Sequence, residues 1–209
     1  MGCGEPQGLI LGEVEIPYRL ISDAEQSLRR SFQSDGRATL TWHLLDAGLA
    51  EEALIHARCA EASRIAQAEA ENWVARLREG ADFPALHAEW CAAQPEQPGR
   101  GTAQKPGPFF LGASVSARIA TMEPGEWTGP LRTQAGWEII QLREREAAPR
   151  QLAHVTVERI VFAVGSAEQH AAARADWAKL PLAGSPELLD TLPLEFRHGR
   201  VATNPPRSP

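Results

Sequence analysis

Residues 134–142 read QAGWEIIQL, a β-strand entered through a glycine turn, and one residue in the strand is out of place. Side chains alternate along an extended chain, so Trp137, Ile139 and Gln141 face one side while Glu138, Ile140 and Leu142 face the other. A carboxylate in that second row either still reaches water at the start of the strand or sits in a groove where it has a task. Just upstream, MEPGEW (122–127) holds a Pro124-Gly125 turn, and the residues after it predict a hairpin whose second strand is the opening stretch. A short helix is expected near Ser114 to Thr121, ahead of that hairpin.

The totals narrow the class of protein. A chain of 209 residues with 43% hydrophobic content buries a real core, as one domain with an appendage or as two small domains. A formal charge of −6 with no dense Lys/Arg cluster argues against nucleic acid as a partner. The most apolar run, Ile160 to Val164, is strand-sized and far short of a membrane span. Cysteines at 3, 59 and 91 cannot all pair, and no CxxC is present, so neither a disulfide framework nor a thioredoxin motif is expected. Two readings of Met1-Gly2-Cys3-Gly4 stay open: an ordinary start, or a lipoprotein without its leader, lipidated on Cys3.

Along the chain, GLILGEVEIPY (8–18) is strand-like, and Ser22-Asp23 is expected to cap a helix to Phe32, with Glu25 at capping-box distance from Ser22. Ser34-Asp35-Gly36 breaks it, apolar residues recur at helical spacing from Ala38 to Leu45, and Asp46-Ala47-Gly48 interrupts again. A long alanine-rich helix is expected from Leu49 to Glu79, closed by Gly80, and Asp82 caps another from Phe83 to Cys91. Residues 94–108, QPEQPGRGTAQKPGP, hold four prolines and three glycines and read as a surface loop beside a site. After the linker AAPR (147–150), LAHVTVERIVFAV (152–164) is the strongest strand in the chain, and Ser166 with Gln169 opens a further helix. The expected organisation is an N-terminal strand and helical arm (1–48), a central domain (49–147), a strand-helix extension (148–193) and a mobile tail (194–209).

With GADFPALHAEWC, the proline-glycine loop, GPFFLG, MEPGEW and GWEIIQLRERE in that order, residues 76–146 resemble the parvulin family of peptidyl-prolyl cis-trans isomerases. The strand and helices ahead of them look like the chaperone arms of bacterial envelope foldases. The resemblance implies an α+β fold, a small antiparallel sheet wrapped by helices, with a proline-binding groove on one sheet face and an N-terminal helical chaperone-like arm. It also implies weak rotamase activity on unfolded or proline-containing client polypeptides in the cell envelope or periplasm, with a catalytically inactive chaperone or scaffold as the alternative and a cytoplasmic location as the other possibility. Rotation about an X-Pro bond needs no cofactor. Its barrier is amide resonance, ~20 kcal/mol, so a catalyst must favour the twisted amide.

Family enzymes use two histidines, a Cys or Asp, and an apolar pocket. The resemblance carries the first histidine onto His56, although LIHARCA reads locally as helix and a helix-face histidine is the competing reading. The Cys or Asp position holds Ala93, and Cys91 falls two residues earlier, in the family's serine position. The second histidine position is Glu138. In an apolar groove that carboxyl would stay protonated and donate a hydrogen bond. The pocket would be made by Phe109, Phe110, Met122, Trp127 and Ile140, thinned by Ala120 where an aromatic is expected. VTVERIVFAV looks like the domain's opening strand displaced to the end of the chain, or part of a second parvulin unit, with Arg159 where the histidine would stand. It is expected to supply the central strand of the sheet, in its own chain or in a strand-swapped dimer. A separate reading pairs His56 with Cys59 and His87 with Cys91 at helical spacing as a Cys2His2 zinc site.

Overall fold

Glycine turns and one late strand set the architecture. The computed structural model describes residues 7–29, 37–94, 102–105, 111–146 and 154–201. Gly12, at φ 61°, turns the chain between β1 (Leu9–Leu11) and β2 (Val14–Ile16), so the stretch expected as one strand is a hairpin. Helix α1 (Tyr18–Arg29) starts directly after Pro17 rather than at Ser22, burying Ile21, Ala24 and Glu25. Helix α2 (Arg37–Leu44) runs into a widened turn over Leu45–Leu49, where Gly48 takes φ 122°.

The single helix expected over 49–79 is two, α3 (Ala50–Arg58) and α4 (Ala60–Arg78), broken at Cys59 with φ −110° and ψ 40°. Helix α5 (Phe83–Ala92) is capped as expected, the Asp82 carboxylate accepting from the Ala85 N–H at 3.2 Å. There follow β3 (Thr102–Lys105), α6 (Ala113–Ile119), β4 (Trp127–Thr133), β5 (Gly136–Glu146) and β6 (His154–Ala163). Helix α7 (Ala167–Trp177) opens on the full Ser166/Gln169 capping box, and β7 (Leu182–Gly184), α8 (Pro186–Leu189) and α9 (Leu194–Arg197) complete the elements.

Two antiparallel sheets result, ordered β2-β1-β7 and β3-β6-β5-β4, giving an α+β fold. Strand β6, the last long strand in the sequence, occupies the interior of the larger sheet between β3 and β5. Its ladder with β5 runs from Gly136 opposite Ala163 to Glu146 opposite His154, with a bulge between Leu142 and Glu144. The displaced strand therefore completes the sheet within one chain.

Each face of this sheet buries a separate cluster. Ile139, Ile160 and Phe162 pack on one face against α3, α4 and α5. Leu9, Leu11, Ile16 and Ile21 belong to that same cluster, so the boundary expected at residue 48 does not divide two cores. On the other face Ile140, Leu142, Val155 and Val157 pack under Val115 and Ile119 of α6. The segment expected as a mobile tail is anchored as far as Val201. Phe196 lies against Trp42 and Trp177, with ring centroids at 4.5 and 4.7 Å, the Arg200 guanidinium covers Phe196 at 3.9 Å, and Val201 bridges Leu182.

One buried carboxyl ties these layers together. Glu52 of α3, 2% exposed, accepts from the Ser114 hydroxyl of α6 at 2.6 Å and from Arg132 Nε of β4 at 3.1 Å. Burial outweighs both partners and pushes its pKa from 4.5 up to about 7. The folded chain thus keeps a proton that the unfolded chain loses above about pH 4.5, so this stabilisation is complete below that pH and is lost as pH rises through 7.

Two measurements follow from this packing. Glu52→Gln removes the titration, and its stability relative to the parent should rise by roughly 3 kcal/mol between pH 4 and pH 8 in urea denaturation; a difference independent of pH would contradict the assignment. At Gly136, with φ 136°, a Cβ would lie 2.1 Å from the Phe162 carbonyl oxygen, whereas at Gly80, with φ 101°, it would meet nothing within 4 Å. Gly136→Ala should therefore cost roughly 2–4 kcal/mol and Gly80→Ala only about 1 kcal/mol of backbone strain. Equal losses would show that the close approach of β6 to the β4–β5 turn does not matter.

Candidate functional site

Glu138 projects from β5 onto the face that carries Ile140 and Leu142, and no part of its side chain is exposed. Its neighbour across the ladder is Val161, and Arg159 stands on the same face of β6, one diagonal step away. Arg159 Nε donates to Oε2 at 2.6 Å and Nη2 donates to Oε1 at 2.5 Å, a two-pronged ion pair. The Thr133 hydroxyl, at the end of β4, donates to Oε1 at 2.6 Å. A fully buried carboxylate needs such partners, because an unpaired charge in the interior costs several kcal/mol.

The misplaced carboxylate is therefore not at the water's edge, and among its apolar neighbours it has polar partners of its own. The expectation of an apolar groove around Glu138 is corrected by Arg159 and Thr133, which donate to both of its oxygens. Both strand positions implied to carry histidines, those of Glu138 and Arg159, hold the two halves of one ion pair.

Above this pair lies a cavity of about 180 Å³ bordered by Leu111, Gly112 and Val115 and otherwise largely by polar side chains, among them Glu52, Gln134, Glu138 and Arg159. It is smaller than the ~300–1,000 Å³ of small-molecule sites and suits one side chain better than a whole cofactor. A second cavity, of about 390 Å³, shares Gln134, Ala135 and Arg159 with the first and continues past Val161 to His170 and Arg174. Arg159, whose side chain is 20% exposed, is the charged wall common to both. A third and larger cavity, about 730 Å³, lies between α1, α6 and β4 and is lined largely by apolar groups, with Glu52 at its edge.

The remaining expected site residues do not converge on this pair. His56 lies on α3, buried against the opposite face of the sheet, its ring edge-on to Trp137 at 5.7 Å. Its Nε2–H donates to the Thr133 carbonyl at 2.9 Å, leaving Nδ1 to accept from the Ser63 hydroxyl at 2.6 Å, and Ser63 in turn accepts from Trp137 Nε1–H at 3.1 Å. Burial first, then the charges of Arg132 and His170, hold the His56 pKa below the ordinary imidazole value. It is a neutral, fully engaged histidine of a helix face, the competing reading of LIHARCA. Cys91 is exposed on α5, its sulfur 3.7 Å from His87 Nε2 and away from the cavity walls. Among the described residues no group of three or more His, Cys, Asp or Glu is placed to hold a metal ion, so the two Cys/His pairs do not form a zinc site.

Met122 and Ile140 share the face of Glu138 but are packed into the core beneath α6. Trp127 belongs to the opposite face, and Phe109 and Phe110 lie outside the described residues. Sequence reasoning missed Thr133, Glu52, Ser114 and Arg132. Thr133 was within reach, because a hydroxyl just before the QAGW turn flanks the Glu138 row; the others meet only through contacts spanning 62 to 80 positions.

Comparison with known proteins places a family on this geometry. No curated protein and no solved structure matches the chain, and among the described residues no helix is long and apolar enough to cross a membrane. A family model does match: the PPIC-type PPIase domain, or rotamase, over residues 53–144. The match begins inside α3 and ends within β5, before the interior strand that carries Arg159. With the antiparallel sheet and the order of turns described above, it establishes that this chain carries a parvulin-type peptidyl-prolyl isomerase domain.

Proposed function

We propose that the chain is a weak prolyl isomerase that binds proline-containing segments of unfolded client polypeptides and assists their folding. The observation that carries this reading is the buried Glu138–Arg159–Thr133 network at the polar end of the 180 Å³ cavity. Desolvation of a prolyl ring on entering a cavity closed off from bulk water favours the less polar, twisted amide. Histidine and cysteine are absent from the described residues lining that cavity, which is why the proposed rate is low.

A binding-only chaperone is the second reading, favoured by the 730 Å³ cavity with its largely apolar lining, where client side chains would be held without catalysis. Measurement of cis–trans exchange in proline tetrapeptides by NMR, with suppression of client aggregation in parallel, separates the two. The proposal predicts exchange that increases in proportion to protein concentration; suppression of aggregation with no acceleration of exchange would leave only the chaperone.

A further inference from the structure

We propose that Arg159 is the catalytic hydrogen-bond donor of this site, acting on the nitrogen of the prolyl amide, with Glu138 as the residue that positions it. The inference rests on the isomerase reading above and names the group that performs it. Arg159 offers Nε and Nη2 to the buried carboxylate, and among the described residues its Nη1 amino group has no hydrogen-bond partner. A guanidinium gripped on one edge by a wholly buried carboxylate cannot swing away, so its free edge has a fixed direction. Its exposed part is wall to both the 180 and the 390 Å³ cavities. A prolyl ring seated beside Gly112 and Ala135, with the flanking chain leaving through the larger cavity past Val161, brings the X-Pro bond beside it.

The chemistry requires no bond to be made or broken. In the planar amide the nitrogen lone pair is delocalised into the carbonyl and is a poor acceptor. At the twisted transition state it is localised on nitrogen and accepts a hydrogen bond well. A cationic N–H aimed at that nitrogen therefore gains strength only as the bond rotates, which is the condition for lowering a barrier rather than tightening the ground state. The same donor aimed at the preceding carbonyl oxygen would stabilise the planar form and slow the rotation. Loss of one charge-assisted hydrogen bond of this kind corresponds to roughly tenfold to a hundredfold in rate.

The test compares kcat and KM for proline-tetrapeptide exchange in the parent, Glu138→Gln, Arg159→Met and the double variant Arg159→Met/Glu138→Gln. Since Arg159→Met alone strands a buried charge, the double variant, folded by circular dichroism, is the decisive one. Its kcat should fall by roughly tenfold or more with KM within about twofold, while Glu138→Gln, which keeps a hydrogen-bonding partner for Arg159, should lose less. The Arg159 side-chain Nε–H resonance should also shift on adding peptide. A folded double variant with the parent's kcat would overturn the role of Arg159 and leave the isomerase reading standing; a parent that does not accelerate exchange at all would overturn both.

Discussion

A carboxyl group with no exposed surface is tolerated in a β-sheet only if polar partners are delivered to both of its oxygens in register. Here the requirement falls on the β5–β6 ladder, because Glu138 comes from one strand and Arg159 from the next. The pairing fixes more than two side chains. It specifies which face of β6 turns toward α6, since a one-residue slip would send Arg159 into the apolar cluster of Ile139, Ile160 and Phe162. It also sets the polar end of the cavity, and with Thr133 it joins three successive segments of the sheet and its turn at one point.

The order of strands gives that ladder its importance. The rotamase match covers residues 53–144, yet the interior strand of the sheet comes at 154–163, after the matched stretch has ended. Where the resemblance places an opening strand with a histidine, the chain has the helix α3, and His56 is spent on Ser63 and the Thr133 carbonyl. The work of the missing strand passes to β6. Strand β6 reaches its place as the third member of an up-and-down run from β4, a short antiparallel route that needs no crossover connection. The N-terminal hairpin is closed in turn by β7, so the two ends of the described chain meet beside the same core.

Local signals in the sequence were read well, and signals that depend on assembly were not. The β4–β5 hairpin, the Asp82 cap and the Ser166/Gln169 capping box are decided within a few residues, and each appears as expected. The density of β-branched residues in VTVERIVF identified β6 as a strand, and its place in the sheet was implied by its resemblance to the opening strand of a parvulin domain. The break at Cys59 could not be read, because Ala60 and its neighbours are strong helix formers and the bend answers to the packing of α3 and α4. The start of α1 was hidden because Ser22 looks like a cap, while Pro17 and Tyr18 begin the helix earlier. Within the site, Glu138 and Arg159 were each singled out by the positions they occupy, but their pairing needed the register of two strands. Glu52 gave no local signal at all, since its burial is made by α6 and β4.

The central claim is that Glu138 and Arg159 act as a unit across the β5–β6 ladder. A double-mutant cycle on stability tests it most directly, with Glu138→Gln, Arg159→Met and the double variant unfolded in urea at neutral pH. The account predicts that the double variant loses less than the two single variants together, with a coupling of about 2 kcal/mol. Losses that add to within about 0.5 kcal/mol would show two independent residues and contradict it.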